Sequence, residues 1–198
     1  VHGDILGERL NYAVGLVNGV SDGGIISTGT EFDGRKEVTA RVFATPFNND
    51  YSVLNGLGFG VAATYTDSQG ERNLNFTDTS SADATRNGLP SYLTDGQNVF
   101  FRYNGAAVAD GQRLRYSPQA YYYSGSLGII AEYAAVRQDV SLSTGGSPTA
   151  GGAGTNTSIT PNTNKKLQHS AWQVAVTYLL TGEGASFKGM KPKQNFDF

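Results

Sequence analysis

Bulky apolar residues and small or polar ones alternate along most of this chain, and the bulky ones keep a single phase. In residues 171–180 (AWQVAVTYLL), Trp172, Val174, Val176, Tyr178 and Leu180 share one face, while Ala171, Gln173, Ala175 and Thr177 share the other. Successive side chains of a strand point to opposite sides, so this period of two predicts a strand. The same reading predicts strands over residues 9–18 (Leu10, Tyr12, Val14, Leu16 on the apolar face), 35–45 (Val38, Ala40, Val42, Ala44) and 57–66 (Leu57, Phe59, Val61, Ala63, Tyr65). Further strands are predicted over 98–103 (Val99, Phe101, Tyr103), 113–123 (Leu114, Tyr116, Ala120, Tyr122) and 127–136 (Ile129, Ala131, Tyr133, Ala135). Most are close to the roughly 9–11 residues that a tilted strand needs to cross a bilayer. A soluble sandwich hides its apolar face; here the bulky residues lie where lipid would cover them and the small ones where a pore needs room. The expected fold is all-β, an antiparallel transmembrane β-barrel, with residues 1–198 belonging to a single barrel domain.

The connections alternate between short and long. Residues 7–8 and 124–126 read as tight turns, whereas 19–34, 67–97 and 141–170 read as long polar loops. Barrels of the outer membrane have short inner turns and longer outer loops. Counting 98–103 as one crossing breaks that parity, because it puts the tight turn 124–126 outside and the long loop 141–170 inside. Two readings restore it: a further strand over residues 72–79, where Leu74 and Phe76 alternate, or one long outer loop that folds partly into the lumen.

Composition narrows the class. The 198 residues include 26 Gly and no Cys, the hydrophobic fraction is 38%, and the mean hydropathy is -0.32. No apolar run approaches the roughly 18 residues of a transmembrane helix, so a membrane-spanning form has to use strands. The lack of Cys excludes a disulfide framework and thiolate chemistry. A net charge of -2 and a pI near 5.6 argue against nucleic acid as a partner. The chain starts at Val1 with no charged n-region or apolar h-region, so any signal peptide is expected to have been removed already.

An ordered series of segments carries a family resemblance: residues 3–19 (GDILGERLNYAVGLVNG), 38–47 (VTARVFATPF), 56–65 (GLGFGVAATY), 89–92 (LPSY), 117–123 (SPQAYYY), 127–133 (LGIIAEY) and 171–183 (AWQVAVTYLLTGE). Over nearly its whole length the chain resembles the middle of a phosphate-selective porin of the O/P type. That resemblance implies a homotrimer in the bacterial outer membrane, each barrel having about sixteen strands, with cationic side chains drawing small, phosphate-like anions through loops folded into the pore. The roughly eight or nine strands expected here would be about half of such a barrel, so either the chain is a central part of a longer polypeptide, which is the expectation, or chains pair to complete a barrel.

Candidate site residues follow from strand phase. The charged residues whose phase points away from the apolar face are Arg9, Arg35, Arg41, Arg102, Arg113 and Arg115, against Glu37 and Glu132. A planar, permanently charged guanidinium grips phosphate or carboxylate through paired hydrogen bonds, and a row of them in a lumen raises the local anion concentration. The alternative role is bracing, with the arginines holding acidic loop residues. Tyr12, Tyr65, Tyr103, Tyr116, Tyr178 and Trp172 have the apolar phase near strand ends, where an aromatic girdle belongs. The GLGFG run leads into a predicted strand rather than a helix, so it is not read as a nucleotide loop. His2 and His169 lack ligand partners at metal spacing, and no catalytic constellation is visible, so neither a cofactor nor an enzymatic step is expected. A general non-selective porin and a structural or adhesive surface β-protein displaying its long loops remain the alternatives.

Overall fold

The computed structural model describes residues 1–19, 34–48, 53–70, 88–96, 98–103, 107–142, 165–187 and 189, omitting the side chains of 91, 102 and 142. The described residues contain no helix, and hence none long and apolar enough to cross a membrane. They form nine strands: β1 (His2–Ile5), β2 (Leu10–Asn18), β3 (Lys36–Ala44), β4 (Leu57–Gln69), β5 (Ser91–Leu93), β6 (Val99–Arg102), β7 (Ala107–Ser124), β8 (Leu127–Leu142) and β9 (Lys165–Tyr178). Seven make one antiparallel sheet in the order β1-β2-β3-β4-β7-β8-β9, and β5 and β6 pair as a separate hairpin. The sheet's edges, β1 and β9, make no contact with each other among the described residues.

Register carries the sequence alternation across the whole sheet. One row runs Tyr12, Val42, Val61, Pro118 through β2, β3, β4 and β7, and Tyr133 pairs with Trp172 in β8 and β9. The row behind it runs Ala13, Arg41, Ala62, Ser117. Because the side-chain period is two, one consistent register keeps the bulky residues of these rows on the same side. Trp172 is 77% exposed and Leu16 68%, and Val14, Val38, Val42, Phe59, Val61, Tyr65, Val174, Val176 and Tyr178 on that face are also exposed.

The opposite face is termed inner here because the β5–β6 hairpin packs on it. Tyr92, Phe101 and Tyr103 of that hairpin region surround His169, an inner-face residue of β9. The prediction of a sheet strand over 98–103 is therefore corrected: β4 pairs directly with β7 from Leu57↔Tyr122 to Gln69↔Asp110, and Val99–Arg102 leaves the sheet plane. Tyr103 accordingly belongs to the covering segment and not to a girdle on the apolar face. With that strand removed the parity resolves without an insertion. The turns around 6–9 and 124–126 lie at one end of the sheet, where the connection 45–56 also starts and finishes, and the connections 19–35, 70–106 and 143–164 start and finish at the other. The proposed strand over 72–79 lies outside the described residues. The long connections also have other bounds than 67–97 and 141–170: β4 runs to Gln69 and the main sheet resumes only at Ala107, with β5 and β6 between them, while β8 and β9 extend to Leu142 and back to Lys165.

A bulge lies within those extensions. Between Ala109 and Arg113 the β7–β8 register shifts, with Gly111 at φ 125°, a conformation that L side chains avoid. Beyond the bulge Ala107, Ala109 and Val140 join Leu89 in a small buried cluster, with Tyr103 and Leu167 packed against it. The hairpin segment is thereby anchored where the strands outrun the rest of the sheet.

Candidate functional site

Small residues on the inner face leave space that larger side chains from neighbouring strands fill. A Cβ on Gly60 would stand 2.4 Å from the Val42 carbonyl oxygen and 2.5 Å from the Phe43 ring, and one on Gly58 would meet the Tyr121 ring. These glycines let Phe43 of β3 and Tyr121 of β7 reach over β4 and stack at 5.5 Å. Phe187, which follows β9, continues the stack against Tyr121. The exposed Arg41 guanidinium lies 5.0 Å from the Phe43 ring centroid, a cation–π contact that fixes its direction without neutralising its charge.

A second cluster lies nearer the long connections. Glu37 Oε2 is 3.2 Å from Arg113 Nη2, and Glu37 Oε1 is 3.9 Å from Arg115 Nη1. Glu37 and Arg113 are buried, whereas Arg115 keeps a quarter of its side chain exposed (25%). Thr66 faces Arg113 and Thr64 faces Arg115, so two small β-branched side chains of β4 allow Glu37 to reach across that strand. Farther along, Glu132 accepts hydrogen bonds from Ser117 Oγ (2.9 Å) and Gln173 Nε2 (3.0 Å).

Over these residues sits an open cavity of about 540 Å³, lined on the sheet by Ala62, Thr64, Arg115, Ser117, Ala171 and His169, and on the hairpin side by Tyr92. The Tyr103 hydroxyl is hydrogen-bonded to His169 Nε2, and the imidazole is ringed edge-on by Tyr92, Phe101 and Tyr103 at 5.6 to 5.8 Å between centroids. Burial, and secondarily the neighbouring Tyr92, raises the Tyr103 phenol above its ordinary range, so it stays protonated.

The six arginines singled out from strand phase therefore divide. Arg41, Arg113 and Arg115 share the inner face, with Arg41 one row nearer the tight-turn end. Arg9 sits in the turn before β2. Arg35 precedes β3, and its guanidinium meets Asp67 and Gln69, which stand in the apolar phase of β4. Arg102 lies on the hairpin, and its side chain falls outside the described residues. The predicted excess of inward cations shrinks accordingly: on the described inner face Arg41, Arg113, Arg115 and Lys165, at the start of β9, stand against Asp4, Glu37 and Glu132. Sequence reasoning weighed His169 only as a metal ligand and missed its place on the inner face. Extending the 171–180 alternation back by one pair places it on the inner face, and the aromatic run Phe100, Phe101, Tyr103 is the signal for what covers it.

No protein-family model matches the chain, and neither a curated protein nor a solved structure matches it.

Proposed function

We propose that this sheet is part of the wall of a porin in the bacterial outer membrane, and that small anions of phosphate type diffuse through it down their gradient without any enzymatic step. The observation that carries the reading is the sidedness of the sheet: bulky apolar side chains are exposed along one face, while the other combines small residues, arginines and a covering hairpin. Monomeric soluble proteins rarely expose a contiguous apolar surface of that extent, and lipid is the solvent that would stabilise it. The apolar row pattern over Leu57, Phe59, Val61, Ala63 and Tyr65 covers most of the roughly 25 Å height of an outer-membrane barrel's lipid-facing band. Unpaired backbone at β1 and β9 would cost several kcal/mol per group in lipid, so the wall closes with further strands, in a barrel of about sixteen strands of which this chain gives roughly half. The resemblance to phosphate-selective porins adds a homotrimeric assembly.

Arg41 and Arg115 are the cations placed to meet a permeating anion, since Arg113 is buried against Glu37. The near balance on the described inner face, where Arg41, Arg113, Arg115 and Lys165 stand against Asp4, Glu37 and Glu132, favours a second reading, a general porin with little charge preference. Reversal potential across a planar lipid bilayer under a KCl gradient separates the two. A potential toward the chloride equilibrium value supports the anion pore, a value near zero supports the general porin, and a protein that inserts without conducting refutes both.

A further inference from the structure

We propose that Glu37 tunes the charge selectivity of the pore, its buried carboxylate offsetting one unit of the positive charge that Arg113 and Arg115 bring to the inner face. The inference rests on the pore reading above. Glu37 is shared, 3.2 Å from Arg113 and 3.9 Å from Arg115, and only Arg115 of the three is open enough to face a solute. A permeating ion therefore meets Arg115 while Glu37 sets the potential around it. Glu37 is a positioning and charge-offsetting residue, not a ligand for the ion.

Local chemistry makes the assignment testable. Thr64 Oγ1 and Gln138 Oε1 are buried without a hydrogen-bond partner, and in register Thr64 faces Arg115 and Gln138 faces Arg113. Both oxygens can accept guanidinium N–H groups, so replacing Glu37 by the isosteric amide does not leave the arginines surrounded by apolar atoms alone. Glu37→Gln removes one negative charge whatever else surrounds the cluster. A unit charge about 7 Å from an ion's path in water changes the ion's energy by about the thermal energy. Screening by about 0.1 M salt roughly halves that, and because the effect is opposite for cations, the anion-to-cation permeability ratio rises about threefold.

The experiment measures reversal potentials of the protein in planar bilayers under a KCl gradient. Glu37→Gln is expected to raise the ratio about threefold, Arg115→Gln to lower it, and Glu37→Asp, which retains the charge, to recover most of the wild-type value. A merely structural role predicts that the shortened Asp perturbs the pore as much as Gln. Should E37Q fail to assemble, R113Q is compared with E37Q/R113Q, whose two amides can hydrogen-bond, and the same threefold step is expected between them. A conducting wild type whose ratio is unchanged by removing the Glu37 charge, or is shifted equally by Glu37→Asp, overturns this assignment alone. A wild type that inserts and does not conduct overturns the pore reading and this inference with it.

Discussion

Val61 lies midway along the apolar phase of β4, between Leu57 and Tyr65, paired with Val42 on one side and Pro118 on the other. Leu57 to Tyr65 spans eight residue steps, about 26 Å at about 3.3 Å per residue, or about 20 Å along the membrane normal for a strand tilted by about 40°. Val61 is therefore near the middle of the lipid-facing band. Its side chain is 45% exposed, so an arginine fits there without overpacking. In water that substitution is a surface change, worth no more than about 0.5 kcal/mol. At the bilayer midplane an arginine on a barrel's lipid face costs about 2–4 kcal/mol. Val38→Arg, one row from the exposed Lys36, is the depth control and is expected to cost about 0–1 kcal/mol. Both variants are read by reversible guanidinium unfolding in phospholipid vesicles, with the fluorescence of Trp172, the chain's single tryptophan, as the signal. A Val61→Arg cost below about 0.5 kcal/mol, or equal costs at the two positions, refutes the membrane-facing assignment of this face.

Gly60→Ala should destabilise by about 1–3 kcal/mol in a thermal melt, because the new Cβ meets the Val42 carbonyl and the Phe43 ring. Glu37→Ala should cost about 3–5 kcal/mol, since it removes the buried carboxylate that stands 3.2 Å from the buried Arg113 guanidinium, and Glu37→Gln should cost clearly less by the same unfolding assay. Tyr103→Phe removes the hydrogen bond to His169, at about 0.5–1.5 kcal/mol, and should accelerate amide exchange in β5 and β6 while leaving β7 and β8 protected. The raised Tyr103 value means that its contribution is present in full below the ordinary phenol value and is lost as pH rises through the elevated one, so hairpin protection in the wild type should persist unchanged from neutral pH into the alkaline range. An exchange profile already loosened near neutral pH would contradict this.

The sheet was legible because its signal is local and repeated. Residues 57–66 alternate without a break, and β4 follows them in phase from Leu57 through Tyr65 and on to Gln69. Residues 98–103 alternate too, yet they form half of a hairpin that leaves the sheet. Alternation reports that a strand has two unlike faces and says nothing about which sheet it joins. Loop parity held part of the missing information: it ruled out 98–103 as a lone crossing, and the direct β4–β7 pairing satisfies it without a further strand. Arg35 misled because phase was carried past the strand's first residue, where the backbone is free to turn its guanidinium toward Asp67. Glu37 was visible as an inward carboxylate, but its sharing by Arg113 and Arg115 depends on the β3–β4–β7 register, which links residues more than seventy positions apart.

Trp172 gives the most direct test of the central claim, that the apolar face of the sheet is a lipid-facing wall. It stands on that face, 77% exposed, in β9 paired with Tyr133. In vesicles containing lipids brominated along their acyl chains, a membrane-facing wall predicts strong quenching of its emission together with protection from aqueous iodide. Quenching by iodide with no response to the brominated lipids would contradict it.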